Sequence, residues 1–187
     1  MSTLVRSGTP VALLSIAFAA GIAHAQAPKA ISARAALGPA DTYFVTQTSL
    51  GTPFQVDSGR LAVAKGGTQD IRAYADLMVS SHLAVNDALV TILERKAPVP
   101  APTLLEAAYA TMMSTLEDET GRTFDRDYVR GQINYQHANA ELYQYEIDHG
   151  TDPDLELFAR QTLPKIQDHL EMAVRLGVSS TEAPSTP

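Results

Sequence analysis

The sequence predicts an all-α protein, an antiparallel four-helix bundle with a short extra helix between the second and third long helices. Three observations predict it. Apolar residues recur three and four apart along four long segments, the spacing of one buried helical face. Glycine and proline fall mostly between those segments, where they separate helices. Alternating strand patterns are weak throughout, and no repeat of 20–50 residues is visible. A chain of 187 residues, 45% apolar and 19% charged, has the length and composition of one ordinary domain with tails.

The first long helix is predicted over residues 41–65, with Asp41 as N-cap and Pro53 kinking or interrupting it. Gly66-Gly67 ends it and Thr68 caps the second, over residues 69–96. In that second helix Ile71, Ala75, Met78, His82, Val85, Leu89 and Ile92 follow 4-3 spacing, a heptad seam on one face. Pro98, Pro100 and Pro102 make a stiff connection. The short helix, residues 103–119, carries an apolar stripe of Leu104, Leu105, Ala108, Met112 and Leu116. The third long helix starts after Gly121 with Thr123 as its cap and runs to His149, sharing Phe124, Tyr128, Tyr135, Ala138, Leu142 and Tyr145 on a broad face. His149 suits the negative end of a helix dipole, and Gly150 suits a positive-φ ending. Asp152-Pro153 opens the fourth as N-cap and N1. Its seam reads Leu155, Ala159, Thr162, Ile166, His169, Ala173 and Leu176, with Pro164 expected to bend it.

The chain opens on an address. Arg6 precedes an apolar run over residues 11–20 (VALLSIAFAA), and Ala23-His24-Ala25 supplies a small-x-small cleavage signal before Gln26. That run is shorter than the ~20 apolar residues needed to cross a bilayer. The expected organisation is a cleaved signal peptide over residues 1–25, a flexible lead-in over 26–39, the helical domain over 40–177 and a disordered Ser/Thr/Pro-rich tail over 178–187. No later segment reads as a membrane span. With no cysteine, the chain has no lipoprotein signal, disulfide, thiolate metal site or cysteine nucleophile. Export without cysteine suits a bacterial periplasm or secretion, with an association with the outer membrane also open. Loss of Arg6 with the leader moves the charge from −7 to −8, which argues against a nucleic-acid partner.

Two histidines interrupt otherwise apolar seams. His82 and His169 stand at core positions, each with a methionine on its own face: Met78 four residues before the first, Met172 three after the second. Counted at about 1.5 Å per residue from the nearest turn, both fall near the middle layer of an up-down bundle, as does His137. Imidazole with thioether is a soft ligand set that favours copper, especially Cu(I). The plain alternative is a pair of core histidines hydrogen-bonded to tyrosine or carbonyl groups, with the methionines filling gaps. A catalytic di-iron site needs two Glu-x-x-His motifs, and the residues three before His82, His137 and His169 are Val79, Asn134 and Ile166. No glycine-rich phosphate loop and no Gly-x-Ser-x-Gly elbow occurs.

These stretches resemble a known family, the exported bacterial proteins of the domain of unknown function 4142, often described as outer-membrane or membrane proteins. The resemblance is carried by residues 44–64, by residues 71–75 (IRAYA) with Met78-Val79 and His82, by residues 124–129 (FDRDYV), and by Leu163-Pro164 with His169-Leu170. It implies a secreted, ferritin-like helical domain with no assigned reaction. The chain departs from the family pattern at Gln55, where an acid is common, at Ser81, where Asp precedes the helix-2 histidine, and at Gln136, where a histidine aligns. The sequence therefore supports a non-enzymatic binding or envelope- and stress-associated protein first. A periplasmic copper-binding protein using His82, His169, Met78, Met172 and His137 comes second, and a ferritin-like oxidoreductase third.

Overall fold

The computed structural model describes residues 36–96 and 107–182. The expected leader, most of the lead-in, the proline-rich connection, Leu104, Leu105 and the end of the tail lie outside those residues. The described residues form helices and loops with no strand, in the order α1 (Pro39–Lys65), α2 (Gln69–Leu93), α3 (Ala107–Asp118), α4 (Gly121–His149) and α5 (Pro153–Glu182). The predicted all-α class holds, with four long helices and one short one between the second and third.

Local chemistry explains where the helix ends differ from expectation. α1 begins with Gly38 as N-cap and Pro39 at the first helical position, where a missing N–H costs nothing. Asp41 is therefore not the cap: it lies one turn in and accepts the Gly38 N–H at 2.9 Å. α1 runs unbroken through Pro53, because burial of Phe54, Gln55 and Val56 on the following turn offsets the ~3 kcal/mol that an internal proline costs. Thr68 caps α2 as predicted, its hydroxyl accepting the Ile71 N–H at 3.2 Å. α2 stops at Leu93 rather than at Lys96, since Arg95 and Lys96 tighten into turns on the Ile92 and Leu93 carbonyls. Lys96 then reaches Asp152 and Asp154, at 2.7 Å each.

α4 starts at Gly121, not after it, with Thr120 as N-cap in place of Thr123; glycine tolerates the φ of +57° found there. It ends at His149 as expected, but Gly150 is extended (φ −60°, ψ 151°) rather than left-handed. Glycine is needed there for space: a Cβ would sit 2.5 Å from Glu146 Oε1 and 2.6 Å from the Glu146 carbonyl. Asp152 caps α5 as predicted, accepting the N–H groups of Asp154 and Leu155 at 3.0 and 3.2 Å. α5 continues through Pro164 and past Leu176 to Glu182.

α1 packs on α2 and α4, α5 on α4 and α2, and α3 rests on α1 and α4. α3 is held by Lys65, whose ammonium donates to the Leu116 and Glu117 carbonyls at 3.0 and 2.7 Å. α1 and α2 approach closely at Gly59, where an added Cβ would meet Val79 Cγ2 at 2.7 Å.

The core is divided. One apolar cluster gathers Ala62, Ile71, Ala75, Met78, Phe124, Tyr128 and Ala173; the other gathers Phe44, Leu89, Tyr143, Leu155, Phe158 and Ile166. Along each long helix the residues between these clusters include buried polar ones: Gln55 and Ser58 on α1, His82 on α2, Gln132, Gln136 and Asn139 on α4, and His169 on α5. This polar layer positions the candidate site. α2 is long and apolar enough by length and composition to cross a membrane, a correction to the expectation that no later segment would be. Its seam is nevertheless spent on burying Ile71, Tyr74, Ala75, Met78, His82 and Leu89 inside the protein.

Candidate binding site

His82 and His169 are brought to the core by the two seams that named them. Their side chains face each other across the α2–α5 boundary with ring centroids 6.3 Å apart and planes at 44°. They are 5% and 7% exposed. Tyr135 of α4 packs edge-on against His82 at 5.8 Å. Neither His82 Nε2 nor His169 Nδ1 has a hydrogen-bond partner, although both atoms are fully buried. A buried polar atom in that state costs about 1–3 kcal/mol, so its presence calls for an explanation.

Burial, then the neighbouring imidazole, pushes the His82 pKa down to about 3. Burial also lowers that of His169; Asp168 pulls it up and Lys165 pushes it further down. Both rings are thus neutral at pH 7, each with one N–H to give and one lone pair to offer.

Both imidazoles line a cavity of about 260 Å³ between α2, α4 and α5. Asn139 and Tyr143 close it from α4; Phe158, Ile166 and Lys165 line it from α5. Ser81, next to His82, also faces it. The arrangement is a half-open, mostly apolar recess with two neutral imidazoles and one lysine.

The other residues singled out from the sequence lie elsewhere. Met78 is fully buried on the His82 face, and its sulfur accepts the Gln136 amide N–H at 3.3 Å. Met172 packs at the edge of the first apolar cluster and lines a separate groove with Tyr74, Leu77 and Arg175. His137 points outward, 67% exposed along its side chain, with Nδ1 3.6 Å from Glu141. Among the described residues no group of three or more His, Asp or Glu side chains is arranged to hold a metal ion.

Two features escaped the sequence analysis. The first is the rest of the polar layer. Gln132 donates to Ser58 at 3.5 Å, and the Tyr74 hydroxyl lies 3.5 Å from Gln132 Oε1 and 3.4 Å from the His169 carbonyl, a loose chain touching all four long helices. Gln55 is wholly buried with neither amide atom partnered, and Gln136 Oε1 is likewise orphaned. The signal was present: Tyr128, Gln132, Tyr135 and Asn139 keep 4-3-4 spacing. An apolar search passes over glutamine and asparagine, and so selected Ala138, Leu142 and Tyr145; Tyr145 proves 42% exposed.

The second is a carboxyl pair at the opposite end from Gly66. Asp41 accepts from the N–H groups of Gly38, Thr151 and Asp152 at 2.9, 2.9 and 3.0 Å, and from the Thr151 hydroxyl at 2.6 Å. Burial opposes its ionisation, but these bonds outweigh it and hold its pKa at about 2. Beside it, Glu146 is fully buried; burial first, then Asp41, pushes its pKa up to about 8. Glu146 is therefore protonated at neutral pH, and both its carboxyl oxygens are buried without a hydrogen-bond partner. The pair ties the start of α1 to the end of α4 and the start of α5.

The family model for Domain of unknown function (DUF4142) matches residues 26–176. The chain belongs to the DUF4142 family. No curated protein and no solved structure matches it. Of the three positions singled out by the resemblance, Gln55 and Gln136 are buried in the polar layer and Ser81 lies on the cavity wall.

Proposed function

We propose that the protein is exported to the periplasm and works as a non-enzymatic binding protein, and that its binding centre is the His82–His169 cavity. The four long helices form an antiparallel bundle of ferritin-like type. In support, Gly38, Asp41, Lys96, Thr151 and Asp152 meet at one end, while Lys65, Gly67 and Asp125 meet at the other. The observation that carries the binding reading is a recess walled by two buried imidazoles, His82 and His169, each with one ring nitrogen left unpartnered in the core behind it. A core built only for stability would satisfy them or replace them with apolar groups.

The test is a thermal-shift screen of chemically varied small molecules against the exported protein and an Ala88→Phe variant, which plugs the mouth. Hits that raise the melting temperature of wild type and vanish in the variant support the reading. An absence of hits, or hits indifferent to the plug, overturns it.

One observation favours a second reading, a soft metal ion such as Cu(I). Two imidazoles sharing an ion at about 2 Å from each nitrogen place their ring centroids roughly 5–6 Å apart, close to the 6.3 Å found. His82 and His169 would hold the ion, with the Met78 sulfur on the same face of α2 as His82. Elemental analysis with Cu(I) titration, beside a His82→Ala/His169→Ala double variant, tests it. Stoichiometric binding lost in the variant supports copper; binding that survives, or none, removes it.

A further inference from the structure

We propose that the cavity takes a small organic anion, a carboxylate carrying a short apolar body. The proposal rests on the reading of the cavity as a binding site and names its ligand class.

Charge is the first argument. The chain carries 21 acidic against 14 basic residues, yet no aspartate or glutamate lines this cavity, and its one charged group is Lys165. Among the described residues no carboxylate forms an ion pair with Lys165, whereas Lys96, Arg126, Arg160 and Arg175 each have one. Lys165 is exposed and lines the cavity one helical turn before His169, on a long stem that carries its ammonium toward water.

Hydrogen-bond supply is the second. The two imidazoles of the wall, His82 and His169, are neutral and each carries one N–H set by its tautomer, and the Asn139 amide adds a further donor. A carboxylate brings two acceptor oxygens and no donor, and so satisfies such a set without leaving an orphan of its own. A metal cation gains from the lone pairs but is repelled by Lys165.

Shape is the third. Val85, Phe158 and Ile166 give the remainder of the cavity apolar walls. A volume of about 260 Å³ equals about nine waters at ~30 Å³ each, room for a head group and a short chain or ring but not for a large lipid. A bare inorganic anion would leave those walls wet, which favours an organic acid.

The experiment is isothermal titration of the exported protein with sodium octanoate, with octanamide as neutral isostere, and with acetate as a head group lacking the body. Octanoate is expected to bind, with octanamide and acetate each at least about tenfold weaker, the scale of one charge-assisted contact or a few buried methylenes. Lys165→Gln, a change at an exposed position, should weaken octanoate about tenfold while the melting temperature of the free protein stays put. Equal binding of octanamide, or no effect of Lys165→Gln, overturns the anion and leaves the cavity standing as a site for neutral molecules. No octanoate binding, with plug-sensitive hits of other chemistry in the thermal-shift screen, overturns the ligand class alone. No octanoate binding and no plug-sensitive hit overturns both.

Discussion

Replacing Glu146 by glutamine should change how stability depends on pH. In the folded protein this carboxyl titrates at about 8, against 4.5 when free. The folded state therefore keeps a proton that the unfolded chain gives up, and stability from this group is complete below 4.5 and declines as pH rises toward 8. At 1.36 kcal/mol per unit, the full decline by pH 7 is about 3 kcal/mol, and water reaching the helix ends reduces this to roughly 1–2 kcal/mol. Glu146→Gln keeps the side chain's shape and removes the titration. The charges around it are those of Asp41, Asp152 and Glu156, with Lys96 paired to Asp152. The variant should match wild type at about pH 4.5 and exceed it by roughly 1–2 kcal/mol at about pH 7, measured by urea unfolding with far-UV circular dichroism. Parallel curves for the two proteins, or a variant weaker throughout, would show that Glu146 is not held protonated by the fold.

His82 works in the opposite sense. Its folded value is depressed to about 3 from 6.5, so its stability is present above 6.5 and is lost as pH falls toward 3. His82→Gln should remove a loss of about 2 kcal/mol otherwise seen at about pH 5, read as the difference between variant and wild-type urea midpoints. Asp41→Asn replaces one of the two acceptor oxygens that hold the Gly38, Thr151 and Asp152 N–H groups by an NH₂ donor; a loss of about 2–4 kcal/mol at pH 7 is expected from the same unfolding curves. Gly59→Ala should cost about 1–3 kcal/mol, because crowding on Val79 exceeds the gain in helix propensity; a stabilised variant would contradict the close α1–α2 approach. Lys65→Met should speed amide exchange at the end of α3 while leaving α4 protected.

The fold was legible because the α2 and α5 seams are apolar and regular. Ile71, Ala75, Met78, His82 and Leu89 are buried as spaced, and so are Leu155, Ala159, Thr162, Ile166, His169 and Ala173. The histidine pair was legible for the same reason, as polar interruptions of a clean pattern. α4 was misread because half its buried face is polar: Gln132, Gln136, Asn139 and Glu146 are indistinguishable from surface residues until their partners are known. Pro53 interrupts nothing, since burial on the following turn carries α1 through it, and Pro164 likewise sits inside a continuous α5. Asp41 was recognised as a helix-start residue, but its larger task depends on Thr151 and Asp152, 110 and 111 residues away. No local pattern carries that contact.

The central claim is that His82 and His169 form one ligand centre rather than two packed side chains. ¹⁵N NMR of the histidine imidazoles during octanoate addition tests it most directly. The account predicts that the His82 and His169 nitrogens shift together and saturate at a single stoichiometry, while the exposed rings of His137 and His149 stay unmoved. Saturable octanoate binding that leaves the His82 and His169 signals in place would contradict it.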